Sequence, residues 1–288
     1  MLSKNIKHIF AVSLNKGVAD GASEDISKTI SPEAAKKVTW LQRDTSDFVQ
    51  MKELADEITS KTDRLDILVN NAGRGIMTYQ LTDSGVDLHM ATNHFGPAVL
   101  TSHLMPLMKK TASNGNTVRI SFQASNAHQG APSDVKFVSL DEMNQDLGPN
   151  GQYGRSKLAN ILYTRYLAKH LKVSHPNILV NCTHPGFVET KQSVKDIHEP
   201  YPIAGYAMSV GMSPFKKTQW EGAVPTMYTT TKTTNTGEYI CPPAIPEPGS
   251  KQSQDEELGE SLMKLTWQVV REKTYPQSAE KGCPFTFY

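Results

Sequence analysis

Short apolar runs alternate along the chain with longer stretches whose apolar residues recur at helical spacing, the pattern of a parallel sheet covered by helices on both faces. The first run, Ile6 to Leu14, precedes a weak helix near Val18 to Ile30, and Val38 to Gln42 precedes a helix from about Asp47 to Lys61. Leu65 to Val69 reads as a strand running into Asn70-Asn71-Ala72-Gly73, followed by a long helical region from about Ser84 to Lys110. Thr117 to Phe122 and Ile178 to Cys182 read as further buried strands, separated by a helix carrying Tyr153 and Lys157, and Gly237 to Cys241 as a last strand. Pro242 to Gly249 is rich in proline, which lacks an N–H and cannot continue a helix or a central strand, so a loop is expected there, leading to a helix near Glu256 to Lys273. The pattern predicts an α/β fold with a doubly wound, Rossmann-like parallel sheet. Residues 1–288 are expected to form a single domain, with an extension from about residue 242 onward.

Composition narrows the partners. The 30 basic and 29 acidic side chains nearly cancel, leaving no basic tract for nucleic acid or an anionic lipid surface. Met1 to Phe10 lacks the apolar core of a secretory signal, and no stretch approaches the roughly 20 apolar residues of a spanning helix. Cys182, Cys241 and Cys283 show neither metal spacing nor an even count for a disulfide framework, so a reducing, cytoplasmic setting is expected.

Candidate chemistry begins with Tyr153 and Lys157, four residues apart and therefore on one helical face. Reduction of a ketone needs an acid for the developing alkoxide, and a tyrosine near pKa 10 is poorly poised for it. A cation about 5 Å away, at an effective dielectric of about 20, contributes roughly 3 kcal/mol, or about two pKa units. The spacing alone also occurs on ordinary exposed helices. What changes its weight is that Asn70-Asn71-Ala72-Gly73, Ser125 and Pro185-Gly186-Phe187-Val188-Glu189-Thr190 all follow apolar strands, at the sheet edge where open α/β folds bind ligands.

Together these residues resemble the short-chain dehydrogenase/reductase family, in particular its retinol-dehydrogenase-like fungal members, over roughly Lys7 to Cys241. The resemblance implies Tyr153 as general acid, Lys157 as its partner and a ligand of the nicotinamide ribose, Ser125 as the holder of the substrate oxygen, and Asn93 as the residue that kinks its helix and orders a proton path to the lysine. It further implies Asp44 at the adenine, Asn70, Ala72 and Gly73 along the adenosine, and Pro185, Gly186, Val188 and Thr190 around the nicotinamide of NADP, slightly favoured, or NAD. Read as plain structure, Ser125 satisfies a strand-end backbone, Asp44 caps the next helix and Pro185-Gly186 is an ordinary turn. His128 and His184 read as loop histidines, with no metal assigned. A lid over about residues 188–220, bearing Tyr201, Tyr206, Met208, Val210, Met212 and Phe215, suits a hydrophobic ketone, aldehyde or alcohol, a secondary-metabolism substrate by resemblance; a homo-oligomer is allowed.

One family element is not found. A first strand and TGxxxGxG turn normally hold the cofactor pyrophosphate. Here Gly17 and Gly21 are spaced by four, Ser23 stands at the third glycine position, and Ile6 to Leu14 matches the family's second strand. The expectation is either a gap in the sheet between that strand and Leu65 to Asn70 or a strand pairing foreign to the family, and the loss of roughly 4–9 kcal/mol of phosphate contacts. A truncated chain and a non-catalytic binding scaffold both fit that departure.

Overall fold

The computed structural model describes residues 2, 6–188, 200 and 217–274. Two strands, β1 (Ile9–Ser13) and β2 (Val38–Gln42), pair in parallel with Ile9 opposite Val38. Between them run α1 (Lys16–Thr29) and the short α2 (Pro32–Ala35). Each helix starts on a polar cap: the side chain of Asn15 accepts the Gly17 N–H, and that of Ser31 accepts the Ala34 N–H. Gly17 and Gly21 therefore lie inside a helix and do not form a phosphate-binding turn. Asp47 caps α3 (Phe48–Lys61) in the same way.

The second sheet takes the order β3 (Ile67–Asn70), β4 (Val118–Gln123), β5 (Ile178–Thr183), β6 (Tyr239–Cys241) and β7 (Ile245–Glu247). It is parallel through β6 and ends on the antiparallel β7. Among the described residues no strand joins β1 to β3, so the sheet is interrupted where the sequence pattern leaves its gap.

Two expectations are corrected. Pro242 to Gly249 is not all loop, because Ile245–Glu247 pairs as an edge strand in which Pro246 lies opposite Ile240. An edge strand tolerates proline because one row of its backbone groups has no partner to satisfy. The helix expected from Ser84 starts only at Leu88, after a turn in which Gly85 adopts φ 75°. It runs as α4 (Leu88–Met90), a π-helical turn over Ala91–Phe95 and α5 (Gly96–Ser113). Then come α6 (Leu140–Met143), α7 (Gly148–Ser174), α8 (Gln219–Thr231) and α9 (Glu256–Lys273).

Side-chain partners show which face each helix covers. Asn70 of β3 donates to Thr101 of α5, whereas Ser121 of β4 accepts from Thr229 of α8. The register puts Val69 beside Ser121, so α5 and α8 lie on opposite faces of the sheet. Val69 remains 39% exposed at the interrupted edge. On the α5 side, ring edges meet from Phe48 to Phe95, from His94 to Tyr163 and from Tyr163 to Phe122, which ties α3, the π turn, α7 and β4 into one core. Edge-to-face contacts of this kind add about 1 kcal/mol each beyond their buried area. Among the described residues no helix is long and apolar enough to cross a membrane.

Candidate active site

The π turn places Asn93. One extra residue per turn lets the side chain leave the helix and clamp the loop after β3: its Oδ1 accepts the Arg74 N–H at 2.6 Å, and its Nδ2 donates to the Arg74 carbonyl at 3.0 Å and to Ser156 Oγ at 2.8 Å. Gly73 completes the clamp. A Cβ there would come within 3.0 Å of Asn93 Oδ1 and 3.5 Å of Lys157 Nζ, so only glycine lets the β3 loop, the π turn and the lysine meet without displacement.

Lys157 is 3% exposed. Its Nζ donates to the Gln123 carbonyl at 3.0 Å and stands 5.4 Å from the centre of the half-buried Tyr153 ring. Burial lowers its pKa to about 8. The group is therefore still mostly ammonium at pH 7, a positive charge beside the Tyr153 ring.

The turn carrying Ser125 is pressed against the helix of Tyr153. A Cβ on Gly154 would lie 2.8 Å from the Ala127 carbonyl oxygen and 3.0 Å from the Ala131 nitrogen, so this glycine permits the contact. Ser125 Oγ accepts the Ala127 N–H at 3.2 Å and starts a 3-10 turn over Asn126–Gly130. The plain structural role is thus present, and the Oγ proton is given, at a long 3.4 Å, to Asn126 Oδ1. His128 braces the turn, its Nδ1–H donating to the Ser125 carbonyl at 2.7 Å while Nε2 accepts the Ser250 N–H at 3.0 Å. These partners require a neutral ring, and burial lowers its pKa accordingly.

The adenosine side is looser. Asp44 Oδ1 accepts from Ser46 N–H at 2.8 Å and Ser46 Oγ–H at 2.7 Å, shaping the turn into α3. Its neighbour Thr45 is locked in place, since a Cβ on Gly96 would lie 1.8 Å from the Thr45 carbonyl oxygen. Asn70 turns its side chain inward to Thr101, leaving its backbone and the exposed Ala72 and Gly73 at the strand end. Past β5, Pro185 and half-buried Gly186, with φ 80°, lead to Val188, which bridges in parallel to Lys217. Thr190 and the lid residues Tyr201 to Phe215 lie outside the described residues.

The structure therefore brings Asn93, Lys157, Tyr153, Gly73 and the Ser125 turn to one place, with Asp44 on a separate loop. Sequence reasoning missed the Gln123 carbonyl, Ser156 and Asn160. Asn160 was legible in principle, since positions 153, 157 and 160 share one helix face.

Comparison with known proteins places the chain in a family. A family model described as Enoyl-(Acyl carrier protein) reductase matches residues 14–219. "Putative oxidoreductase bli-4, mitochondrial" of Neurospora crassa is 52% identical over 99% of this chain and 70% of its own length. Human retinol dehydrogenase 14 is 34% identical over 64% of this chain and 52% of its own. A solved structure of Pseudomonas aeruginosa RhlG with NADP is 24% identical, with a TM-score of 0.58 over 82% of this chain and 84% of that one. The chain belongs to the short-chain dehydrogenase/reductase family. It is an oxidoreductase of that family.

Proposed function

We propose that the protein interconverts a hydrophobic ketone or aldehyde and its alcohol, with Tyr153 as the proton donor to the carbonyl oxygen and NADP, slightly favoured over NAD, as the cofactor. The observation that carries this reading is the buried Lys157 ammonium 5.4 Å from the Tyr153 ring, with no competing acid among the causes of its shift. A nicotinamide cofactor, when bound, would supply or accept the hydride. Tyr153 gives its proton to the alkoxide oxygen, Ser125 Oγ–H can donate to the same oxygen, and Lys157 stabilises the tyrosinate left behind. Asn93 keeps the loop of Gly73 open beside the lysine.

The residues present fit the nicotinamide end of the cofactor. Gly73 and Gly186 are cradles that a Cβ would fill, against Asn93 and Lys157 in one case and against Lys217 in the other. Pro185, Gly186, Val188 and, outside the described residues, Thr190 would surround that end, with Asp44, Asn70 and Ala72 toward the adenosine. At the N-terminus of α1 the side chain of Asn15 already accepts the Gly17 N–H.

The hydrophobic substrate class rests on the composition of the lid and on the retinol in the name of the human relative. A place in secondary metabolism rests on family resemblance alone. The buried thiols of Cys182 and Cys241 suit any reducing compartment, cytoplasm included. A homo-oligomer is compatible with this reading, and so is a single domain. A non-catalytic scaffold is the second reading, favoured by the interrupted sheet.

Titrating residues 1–288 with NADPH and NADH tests the cofactor assignment. We expect NADPH to bind more tightly, with a dissociation constant weaker than about 10 μM, about 7 kcal/mol of binding. Tighter binding of NADH would reverse the cofactor choice. Turnover of acetophenone at saturating NADPH should fall by a factor of about 10² to 10⁴ in Tyr153→Phe. Turnover that survives this change sinks the assignment of Tyr153, and no turnover in the parent chain favours the scaffold.

A further inference from the structure

We infer that Asn160 is a positioning residue for Lys157 and that it is held in turn by His94 and by Thr266 of the C-terminal helix α9. This rests on the reading of Lys157 as the partner of Tyr153. Asn160 is 2% exposed, and its Nδ2 donates to two carbonyls, Asn93 at 2.9 Å and Gln123 at 3.0 Å. The Gln123 carbonyl is the same one that receives Lys157 Nζ. A carbonyl oxygen has two lone pairs, so it accommodates both donors, and the amide fixes the atom on which the ammonium rests.

With both Nδ2 protons used, the orientation of the Asn160 amide is settled and its Oδ1 faces His94 Nδ1 at 3.4 Å. An amide oxygen only accepts, so Nδ1 carries the imidazole proton. The other nitrogen, Nε2, meets Thr266 Oγ1 at 2.8 Å, and that hydroxyl has a second acceptor in the Leu262 carbonyl at 2.8 Å, so its one proton is shared between the two. The ring is buried against Phe95 and Tyr163, and burial lowers its pKa to about 4, which keeps it neutral as this chain of bonds requires. One polarised line thus runs from α9 through the π turn and α7 to the end of β4. It gives the C-terminal extension a role at the site that its sequence does not reveal.

The groups facing Lys157 are the Gly73 backbone, the Asn93 side chain, the Gln123 carbonyl and the Tyr153 ring; no charged side chain contributes to its shift. Its titration therefore reports how dry the pocket is and how firmly the acceptor is held. Removing the Asn160 amide would leave a hole lined by the Gln123 carbonyl, the Asn93 carbonyl and His94 Nδ1, three partners for one water. That water would rehydrate the ammonium.

The test needs neither cofactor nor substrate: the chain is made with ¹³C-labelled lysine, and the Lys157 signal, identified by its loss in Lys157→Met, is titrated by NMR. In Asn160→Ala the midpoint should rise by about one unit towards the ordinary lysine value, and in Thr266→Val by about half a unit. Thr266→Ser should restore the parent midpoint. An unmoved midpoint in folded Asn160→Ala overturns the inference. If that variant does not fold, the pair of Thr266 variants decides, and equal midpoints in Val and Ser overturn it. Failure of the catalytic reading is read separately: Tyr153→Phe that still reduces acetophenone removes the role of Tyr153 and leaves the titration result standing.

Discussion

At the ends of β3 and β4 the polar groups are tied across elements: Asn93 reaches Arg74 and Ser156, and Lys157 and Asn160 share the Gln123 carbonyl. At the ends of β1 and β2 they are tied locally, Asn15 to Gly17 and Asp44 to Ser46. The first arrangement keeps a charge buried in one geometry before any ligand arrives, which lowers the cost of orienting groups during reaction. The second holds mainly its own turns, with two longer ties, Gln42 Nε2 to the Leu14 carbonyl at 3.1 Å and Arg43 to Glu57 at 2.8 Å. The groups around Lys157 are therefore preorganised across elements, next to a sheet that among the described residues is interrupted between β1 and β3.

The sharpest way to break that contrast is at Gly96, where the two regions meet backbone to backbone. Gly96→Ala drives a methyl into the Thr45 carbonyl, and we expect it to cost roughly 3 kcal/mol or more, lowering the urea midpoint. A loss below about 0.5 kcal/mol would show that the Asp44 loop is not anchored to α5 at all. Acid probes the reducing side. Unfolded histidine takes a proton near pH 6.5, whereas His94 and His184 resist it until about pH 4. Stability should fall as pH drops from 6.5 to 4, by about 3 kcal/mol from His94 alone, as read from urea midpoints across that range.

Lys157 has a related effect at the other end of the scale. The unfolded chain keeps its lysine proton up to about pH 10.5, and the folded chain gives it up near 8, so stability rises with pH between those values. Lys157→Met should remove that rise and make the protein about 2 kcal/mol more stable at pH 7 while turnover is lost. A variant no more stable than the parent would mean that the ammonium is better solvated than its burial suggests. The smallest effect belongs to the adenosine side. Asp44→Ala should cost about 1 kcal/mol of stability. Its effect on NADPH affinity then separates the two roles of the residue: an unchanged dissociation constant reduces Asp44 to a turn residue.

Much of the fold was legible because alternation and helical spacing depend on local burial: β1, β2, β4, β5 and α3 begin and end within a few residues of the apolar runs that announce them. Tyr153, Lys157, Ser125 and Asn93 could be singled out because their spacing and strand-end positions are visible along the chain. The edge strand at Ile245–Glu247 was not, because whether proline is tolerated depends on which side of a strand stays unpaired.

The sequence by itself determined where β1, β2, β4, β5 and α3 fall, the shared face of Tyr153 and Lys157, and the lack of a TGxxxGxG run within residues 1–44, all of them properties of neighbours in the chain. Only the tertiary structure decided that Gln123 offers its carbonyl to Lys157, that Gly73, Gly96 and Gly154 are points of close approach, and that Thr266 reaches His94 across 172 positions. Such contacts depend on distances between elements, and these are set by how side chains of the whole core pack together.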